Sequence, residues 1–134
     1  MTPHQFTTRV YYEDTDLAGI VYYANYLKFI ERARTEWVGS LGVDQMALKA
    51  RDGIVFAVRR VEADFLRPAK FGDDLVVETS LQMLGGARIV LDQVVQRGGE
   101  RLFAAVVTLV CMSEDGHAAR LPPEVRARLS GPLH

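Results

Sequence analysis

Between residues 26 and 41 the apolar positions recur every three or four residues. Tyr26, Phe29, Ile30, Ala33, Trp37, Val38 and Leu41 share one face, and Lys28, Glu31, Arg32, Thr35 and Glu36 lie mostly opposite. That spacing predicts an amphipathic helix, with Gly39 and Gly42 as ways to end it. Asp44 is positioned to cap a short second helix, Gln45 to Arg51, stopped by Asp52-Gly53. The rest of the pattern is β. Phe6 to Tyr12 is rich in β-branched and aromatic residues and predicts a first strand. Ile54–Leu66 predicts a long strand, with clear alternation from Val61, and Pro68 and Gly72 mark the break after it. Leu75–Leu84 alternates, and Ala87–Gln96 predicts another strand. Gly85-Gly86 and Gly98-Gly99 are hairpin signals. Arg101–Met112 is apolar on both faces, as a doubly covered central strand would be. Glu114-Asp115-Gly116 turns the chain, and Pro122-Pro123 leads into a short helical tail at best.

The order is strand, helix, then four strands joined by tight turns. Tight turns make neighbours antiparallel, so the expectation is an α+β meander with a helix on one face of the sheet. A helix of about four turns covers only part of a five-stranded sheet. The single chain should therefore leave apolar surface for another copy to hide. Ile54–Leu66, placed at an edge, would also invite pairing with its equivalent. Both arguments predict a homo-oligomer.

Composition narrows the class. The 134 residues predict one domain, spanning residues 1–134. With 49% apolar and 25% charged residues, the chain is neither disordered nor collagen-like. Sixteen basic and 17 acidic side chains give a net charge of −1, without the basic excess of a dedicated nucleic-acid binder. The lone Cys111 cannot form an internal disulfide, and the N-terminus lacks the apolar core of a secretory signal. Together these point to the reducing cytoplasm. The longest apolar stretch, Leu102 to Met112 interrupted by Thr108, falls far short of the ~20 residues that span a bilayer. His4, His117 and His134 are scattered and no Cys/His pair has ligand spacing, so no metal site is expected.

The candidate chemistry lies between the first strand and the helix. Glu13, Asp14 and Asp16 place three carboxylates within four residues. Acids before a helix have an ordinary use, which is to cap it and to complement its positive end. Here the neighbours Leu17, Ala18, Ile20, Val21, Tyr22 and Tyr23 are apolar, which would bury at least one acid in part. Gly19 lets backbone approach a ligand, and the free N–H groups of the helix start lie next to it. A carboxylate beside such donors can act as base or nucleophile while the donors stabilise an oxyanion. A D-x-D phosphatase nucleophile would need a parallel α/β order, which this chain lacks.

The run Tyr11–Arg34, YYEDTDLAGIVYYANYLKFIERAR, resembles the signature of the hotdog-fold acyl-CoA thioesterases. It is similar to the 4-hydroxybenzoyl-CoA thioesterase group and most of all to its Tol–Pal-associated subfamily. Val58–Leu75 fits as well. The resemblance implies a five-stranded antiparallel sheet wrapped around one long central helix. It implies hydrolysis of an acyl-CoA to free acid and coenzyme A with no separate cofactor, coenzyme A being part of the substrate. Asp16 matches the catalytic carboxylate, which either activates water or attacks the thioester carbonyl to form a transient anhydride. The backbone N–H of Tyr23 matches the donor that polarises that carbonyl. Tyr12 matches an active-site tyrosine, or is a strand residue packing inward. Gly19, Val21 and Asn25 belong to the substrate-binding loop, where Asn25 is alternatively a cap or turn residue. Glu31 and Arg34 match an E-x-x-R element. Either they form an ordinary intrahelical ion pair, or Glu31 lies near the active site of an opposing subunit. The Tol–Pal-linked enzymes commonly carry histidine where this chain has Tyr23, which puts a histidine-assisted mechanism in doubt.

The resemblance also implies that the nucleotide of coenzyme A binds at the turn Gly85-Gly86-Ala87-Arg88, which is alternatively an ordinary hairpin turn with an exposed arginine. Small residues there expose backbone N–H groups to phosphate. Arg59, with Arg60, Arg67 and Lys70, forms a second basic group that is either a solvated face or a reach to the 3′-phosphate. The expected assembly is a dimer of dimers. Acyl carrier protein or phospholipid-synthesis enzymes are further partner classes. The competing reading is a non-catalytic protein that binds acyl-CoA or acyl carrier protein as a scaffold for envelope or phospholipid machinery. A hydratase of the same fold would need a His paired with an acid, and none of the three histidines is placed for that.

Overall fold

The structure, a computed structural model, describes residues 2–130. His134 lies outside the described residues. The elements in chain order are β1 (His4–Arg9), a 3-10 turn (Tyr12–Asp14), α1 (Asn25–Ser40), α2 (Gln45–Asp52), β2 (Ile54–Phe65), β3 (Asp74–Leu84), β4 (Arg88–Arg97), β5 (Glu100–Ser113) and α3 (Pro123–Leu129). The strands form one antiparallel sheet in the order β1-β3-β4-β5-β2. The sheet curves about α1, giving the hotdog architecture in the α+β class.

The helices form for local reasons that the pattern exposes. α1 buries Tyr26, Phe29, Ile30, Ala33, Trp37 and Val38 on one face. At about 1.5–3 kcal/mol per large apolar side chain, that face outweighs the modest propensity of its aromatic residues. Asp44 caps α2 by accepting the Ala47 N–H at 3.0 Å, and Gly53 ends the helix in the left-handed region at φ 65°. The tail helix α3 is a packed element, with Val125 and Leu129 buried.

Three expectations need correction. The first strand stops at Arg9, short of Tyr12, because the Asp14 carboxylate captures the Tyr11 N–H at 2.8 Å and curls the chain into the 3-10 turn. The four later strands are not a simple meander. β3, β4 and β5 are, but β2 pairs with β5 at one edge while β3 lies beside β1. The link over residues 66–73 is thus a crossover along one end of the sheet. Nor is β5 covered on both faces. Phe103, Ala105, Val107, Leu109 and Cys111 are buried inward, whereas Ala104, Val106, Thr108, Val110 and Met112 are only half-buried outward.

α1 packs mainly on β1, β3 and β4. The inward face of β2 is consequently covered only in part: Val58, Val61 and Phe65 are exposed, while Ile54, Phe56 and Ala63 pack partly against the core. One polar group crosses the core. Gln93, fully buried on β4, donates to the Ile30 carbonyl of α1 and to Thr79 Oγ1 of β3, each at 2.9 Å. Its Oε1 accepts from Arg34 Nη1 at 2.9 Å. The helix is tied to two strands through one satisfied amide.

Candidate active site

Asp16 sits in a tight loop between the 3-10 turn and α1. Its N–H donates to the Ile20 carbonyl at 3.0 Å and its carbonyl accepts from Gly19 at 2.9 Å. Gly19 has φ +80°, a conformation that a side chain would strain. Asp16 Oδ1 accepts the Ala18 N–H at 3.0 Å, which fixes the carboxylate while leaving it exposed at the loop surface. The half-buried acid of the cluster is instead Asp14, and it is used structurally.

The loop is closed against the helix start. The Asp14 carbonyl accepts from the Tyr22 N–H at 2.9 Å and from Asn25 Nδ2 at 2.9 Å. Thr15 and Val21 form an antiparallel bridge. Asp16 and Tyr23 therefore flank a cross-linked neck. Asn25 is the first residue of α1 and its side chain is committed to this neck. No carboxylate caps α1: its N-cap is Ala24, with no side-chain hydrogen bond. The Tyr23 N–H has no hydrogen-bond partner among the described residues, so it is an open donor at the positive end of α1.

The crossover after β2 supports this loop from below. Fully buried Ala69 accepts the Val21 N–H at 2.9 Å through its carbonyl and donates its own N–H to Tyr26 Oη at 3.0 Å. Lys70 bridges to Ile20. Tyr26 is nearly fully buried and stacks on Phe103, with ring centres 4.9 Å apart and planes 3° from parallel. Burial pushes the Tyr26 phenol above its ordinary value, with the Ala69 amide opposing. The periodicity marked Tyr26 only as a core position, and its phenol oxygen is the feature that pattern cannot show.

Exposed aromatic rings surround the loop. Tyr23 and Tyr22 lie 5.1 Å apart, and Tyr23 and Phe65 5.9 Å apart, by ring centres. Tyr12 is 82% exposed in the 3-10 turn and meets Phe71 edge-on, so it does not pack inward from a strand. Val21 is buried.

Glu31 and Arg34 do not form the ion pair their spacing suggests. Glu31 Oε2 accepts from Thr35 Oγ1 at 2.7 Å, and Arg34 reaches Gln93 instead. Burial draws the Arg34 guanidinium below its ordinary value, with Glu31 opposing. The two line a cleft of about 170 Å³ between α1 and the partly covered face of β2, together with Phe56, Val58 and Leu109.

The glycine turn lies elsewhere in the chain. Among the described residues the amides of Gly86 and Ala87 make no backbone hydrogen bond, while the Gly86 carbonyl accepts from Leu121 at 2.9 Å. Arg126 binds the Gly85 carbonyl, and Arg120 Nη1 comes within 3.8 Å of where a Gly86 side chain would begin. These two arginines, from the segment after β5, escape a sequence reading of the turn. Arg88 stands opposite Val110 on the outer face of the sheet. Arg59 is exposed at the β2 irregularity between Val58 and Arg60. Among the described residues no three His, Cys, Asp or Glu side chains gather into a metal-binding group, and no helix is long and apolar enough to cross a membrane.

Residues 18–104 match the Thioesterase superfamily. The acyl-CoA thioesterase YbgC of Haemophilus influenzae is 41% identical over 107 residues, covering 80% of this chain and 79% of that protein. The acyl-CoA thioester hydrolase YbgC of Escherichia coli O157:H7 is 38% identical over 112 residues, 83% of each. Among solved structures, a probable thioesterase from Bartonella henselae superposes with a TM-score of 0.85 at 37% identity, covering 90% of this chain and 99% of that one. The chain belongs to the thioesterase superfamily.

Proposed function

We propose that Asp16 and the backbone N–H of Tyr23 carry the hydrolysis of an acyl-CoA thioester by this chain. Acyl-CoA thioester hydrolysis is the activity that its family and its curated relatives support. What supports the residue assignment is the closed neck: hydrogen bonds from Tyr22 and Asn25 to the Asp14 carbonyl hold an exposed carboxylate and an open amide on one cross-linked loop.

In this reading the Tyr23 N–H, reinforced by the α1 dipole, polarises the thioester carbonyl and stabilises the oxyanion as the carbonyl carbon becomes tetrahedral. Asp16 either takes a proton from the attacking water or adds its own oxygen to that carbon. Collapse breaks the C–S bond and releases coenzyme A as the thiolate, which takes up a proton. In the second route water then hydrolyses the acyl-aspartyl anhydride. Label found in the Asp16 carboxylate after a single turnover in ¹⁸O-water identifies the anhydride route, since water that attacks the aspartyl carbon of the anhydride leaves its oxygen there and the general-base route never labels Asp16.

The acyl group meets the exposed rings of Tyr23 and Phe65, and the Gly86-Ala87 turn with Arg120 and Arg126 receives phosphate. The site is completed by a second copy across β2. This strand is a long unpaired edge, and Val58, Val61 and Phe65 await a cover that α1 does not provide. A two-fold pairing of β2 edges brings the Glu31–Arg34 cleft of one copy toward the Asp16 loop of the other. The cytoplasm is the proposed location, where acyl-CoA is available. The test is thiol release from short, long and aromatic acyl-CoAs by wild type and Asp16→Asn: turnover by the first and its loss in the second is the expected result. Equal turnover overturns the assignment.

A further inference from the structure

The crossover over residues 66–73 grips both stems of the Asp16 loop. At one stem the Gly72 N–H donates to the Val10 carbonyl and the Val10 N–H donates to the Asp73 carbonyl, each at 2.9 Å. At the other stem the Ala69 carbonyl takes the Val21 N–H. Lys70 pairs there with Ile20, whose carbonyl in turn accepts the Asp16 N–H. The path of the crossover therefore decides where Asp16 and the start of α1 lie.

The crossover belongs to no strand of the sheet. It hangs at its start from the Leu102 carbonyl, which accepts the N–H groups of Leu66 and Arg67. It ends in a turn in which the Asp73 N–H donates to the Lys70 carbonyl at 3.0 Å and the Lys70 N–H to Asp73 Oδ2 at 2.8 Å. The tip of the β4–β5 hairpin braces it from outside. Arg97 Nη1 donates to Asp73 Oδ2 at 2.7 Å and to the Pro68 carbonyl at 3.3 Å, and Nη2 donates to Glu100 Oε1 at 2.7 Å. The other Glu100 oxygen pairs with Arg67 Nε at 3.1 Å. Arg97 and Asp73 are only 31% and 23% exposed, so water screens this pair less than the open surface pairs of the chain. A planar guanidinium suits the task, because its fork of donors holds a carbonyl and two carboxylates at once.

We infer that Arg97 is a positioning residue for thioester hydrolysis: it braces the crossover, and through the crossover it keeps the Asp16 loop in register with the Tyr23 N–H. The inference rests on the site proposed above. Arg97 bonds to neither stem of the loop directly, so its loss acts on the placement of the reacting groups and not on substrate contacts. Misplacement of a reacting group by about an ångström can cost about a hundredfold in rate, and a brace acting at one remove should cost about tenfold.

The experiment is thiol release from an acyl-CoA over a range of concentrations, at a temperature where circular dichroism shows each variant folded. Arg97→Met should lower kcat about tenfold with KM near the wild-type value. Arg97→Lys keeps a cation for Asp73 but cannot span Pro68 and Glu100 as well, so it should recover part of the loss. Thr79→Val weakens the core away from the crossover and should keep the wild-type kcat, which separates lost placement from lost stability. If Arg97→Met does not fold, Asp73→Asn decides in its place: asparagine still accepts the Lys70 N–H but lacks the charge that holds Arg97. A wild-type kcat in the deciding variant overturns the inference, as does a raised KM with kcat unchanged or an equal fall in Thr79→Val. Asp16→Asn, measured alongside, keeps the two readings apart. Slow Asp16→Asn with wild-type kcat in Arg97→Met removes the brace alone. Fast Asp16→Asn with slow Arg97→Met removes the carboxylate assignment and supports the brace.

Discussion

Tyr26 Oη accepts the backbone N–H of Ala69 at 3.0 Å, across a gap of 43 residues in the chain. Through the same Ala69 the contact reaches the Val21 N–H, and so the far end of the Asp16 loop. One phenol oxygen therefore sets where the start of α1 sits relative to the crossover that supports the Asp16 loop.

Tyr26→Phe keeps the ring on Phe103 and removes only that acceptor. The buried Ala69 N–H is then unsatisfied, at a cost of about 1–3 kcal/mol. The expected kinetic signature is a lower kcat with little change in KM, because the loop that places Asp16 loosens while the proposed acyl and nucleotide contacts are untouched. Denaturant melts alongside thiol-release kinetics check both effects. A variant that loses stability but keeps wild-type kcat would leave Tyr26 a structural residue alone.

Much of this fold is legible in the chain because its strongest signals are local. The 3.6-residue apolar period of α1, the Asp44 cap and the two glycine hairpins each act within a few residues, and each appears where the pattern places it. The misreadings share a cause. Val10, Tyr11 and Tyr12 have β propensity, but the Asp14 side chain competes for the Tyr11 N–H. Glu31 and Arg34 have ion-pair spacing, but Gln93, 59 residues from Arg34, offers a better-shielded acceptor. The meander failed because no local signal distinguishes a turn from a crossover over residues 66–73. At the candidate site Asp16 and Tyr23 come from the motif, whereas Ala69 arrives from distant chain and leaves no mark near it, as Arg120 and Arg126 do at the glycine turn.

Gln93→Leu should be among the most destabilising conservative changes. It strips partners from the Ile30 carbonyl, Thr79 and the half-buried Arg34 together. A loss of about 3 kcal/mol or more is expected, since several groups lose satisfaction at once. Thr79→Val, which removes one partner of the same amide, should cost about 1 kcal/mol. Chemical denaturation of both variants tests the ordering; a cheaper Gln93→Leu would contradict the role given to the core amide.

Stability should fall on the acid side through the Asp73–Arg97–Glu100 cluster. Burial pushes the Asp73 carboxyl up, but hydrogen bonds from the Lys70 amide and Arg97 bring it below its ordinary value. Arg97 likewise holds Glu100 down by a hydrogen bond at 2.7 Å. Carboxyls depressed in the folded state stabilise it above their unfolded values, and that contribution disappears as pH drops through the folded values. Melting temperature should therefore decline below the ordinary carboxylate range, and Arg97→Met should lower the plateau above it and flatten the decline. An acid limb of equal steepness in the variant would exclude the cluster as its source.

The most direct measurement is thiol release from an acyl-CoA that wild type hydrolyses, repeated with Asp16→Asn after circular dichroism shows the variant folded. Asparagine keeps the size and the Ala18 hydrogen bond while removing the charge. The account predicts a fall in kcat of at least about a hundredfold, the scale of a lost general base or nucleophile, with the fold unchanged. A folded Asp16→Asn that turns over the same acyl-CoA at the wild-type rate would contradict it.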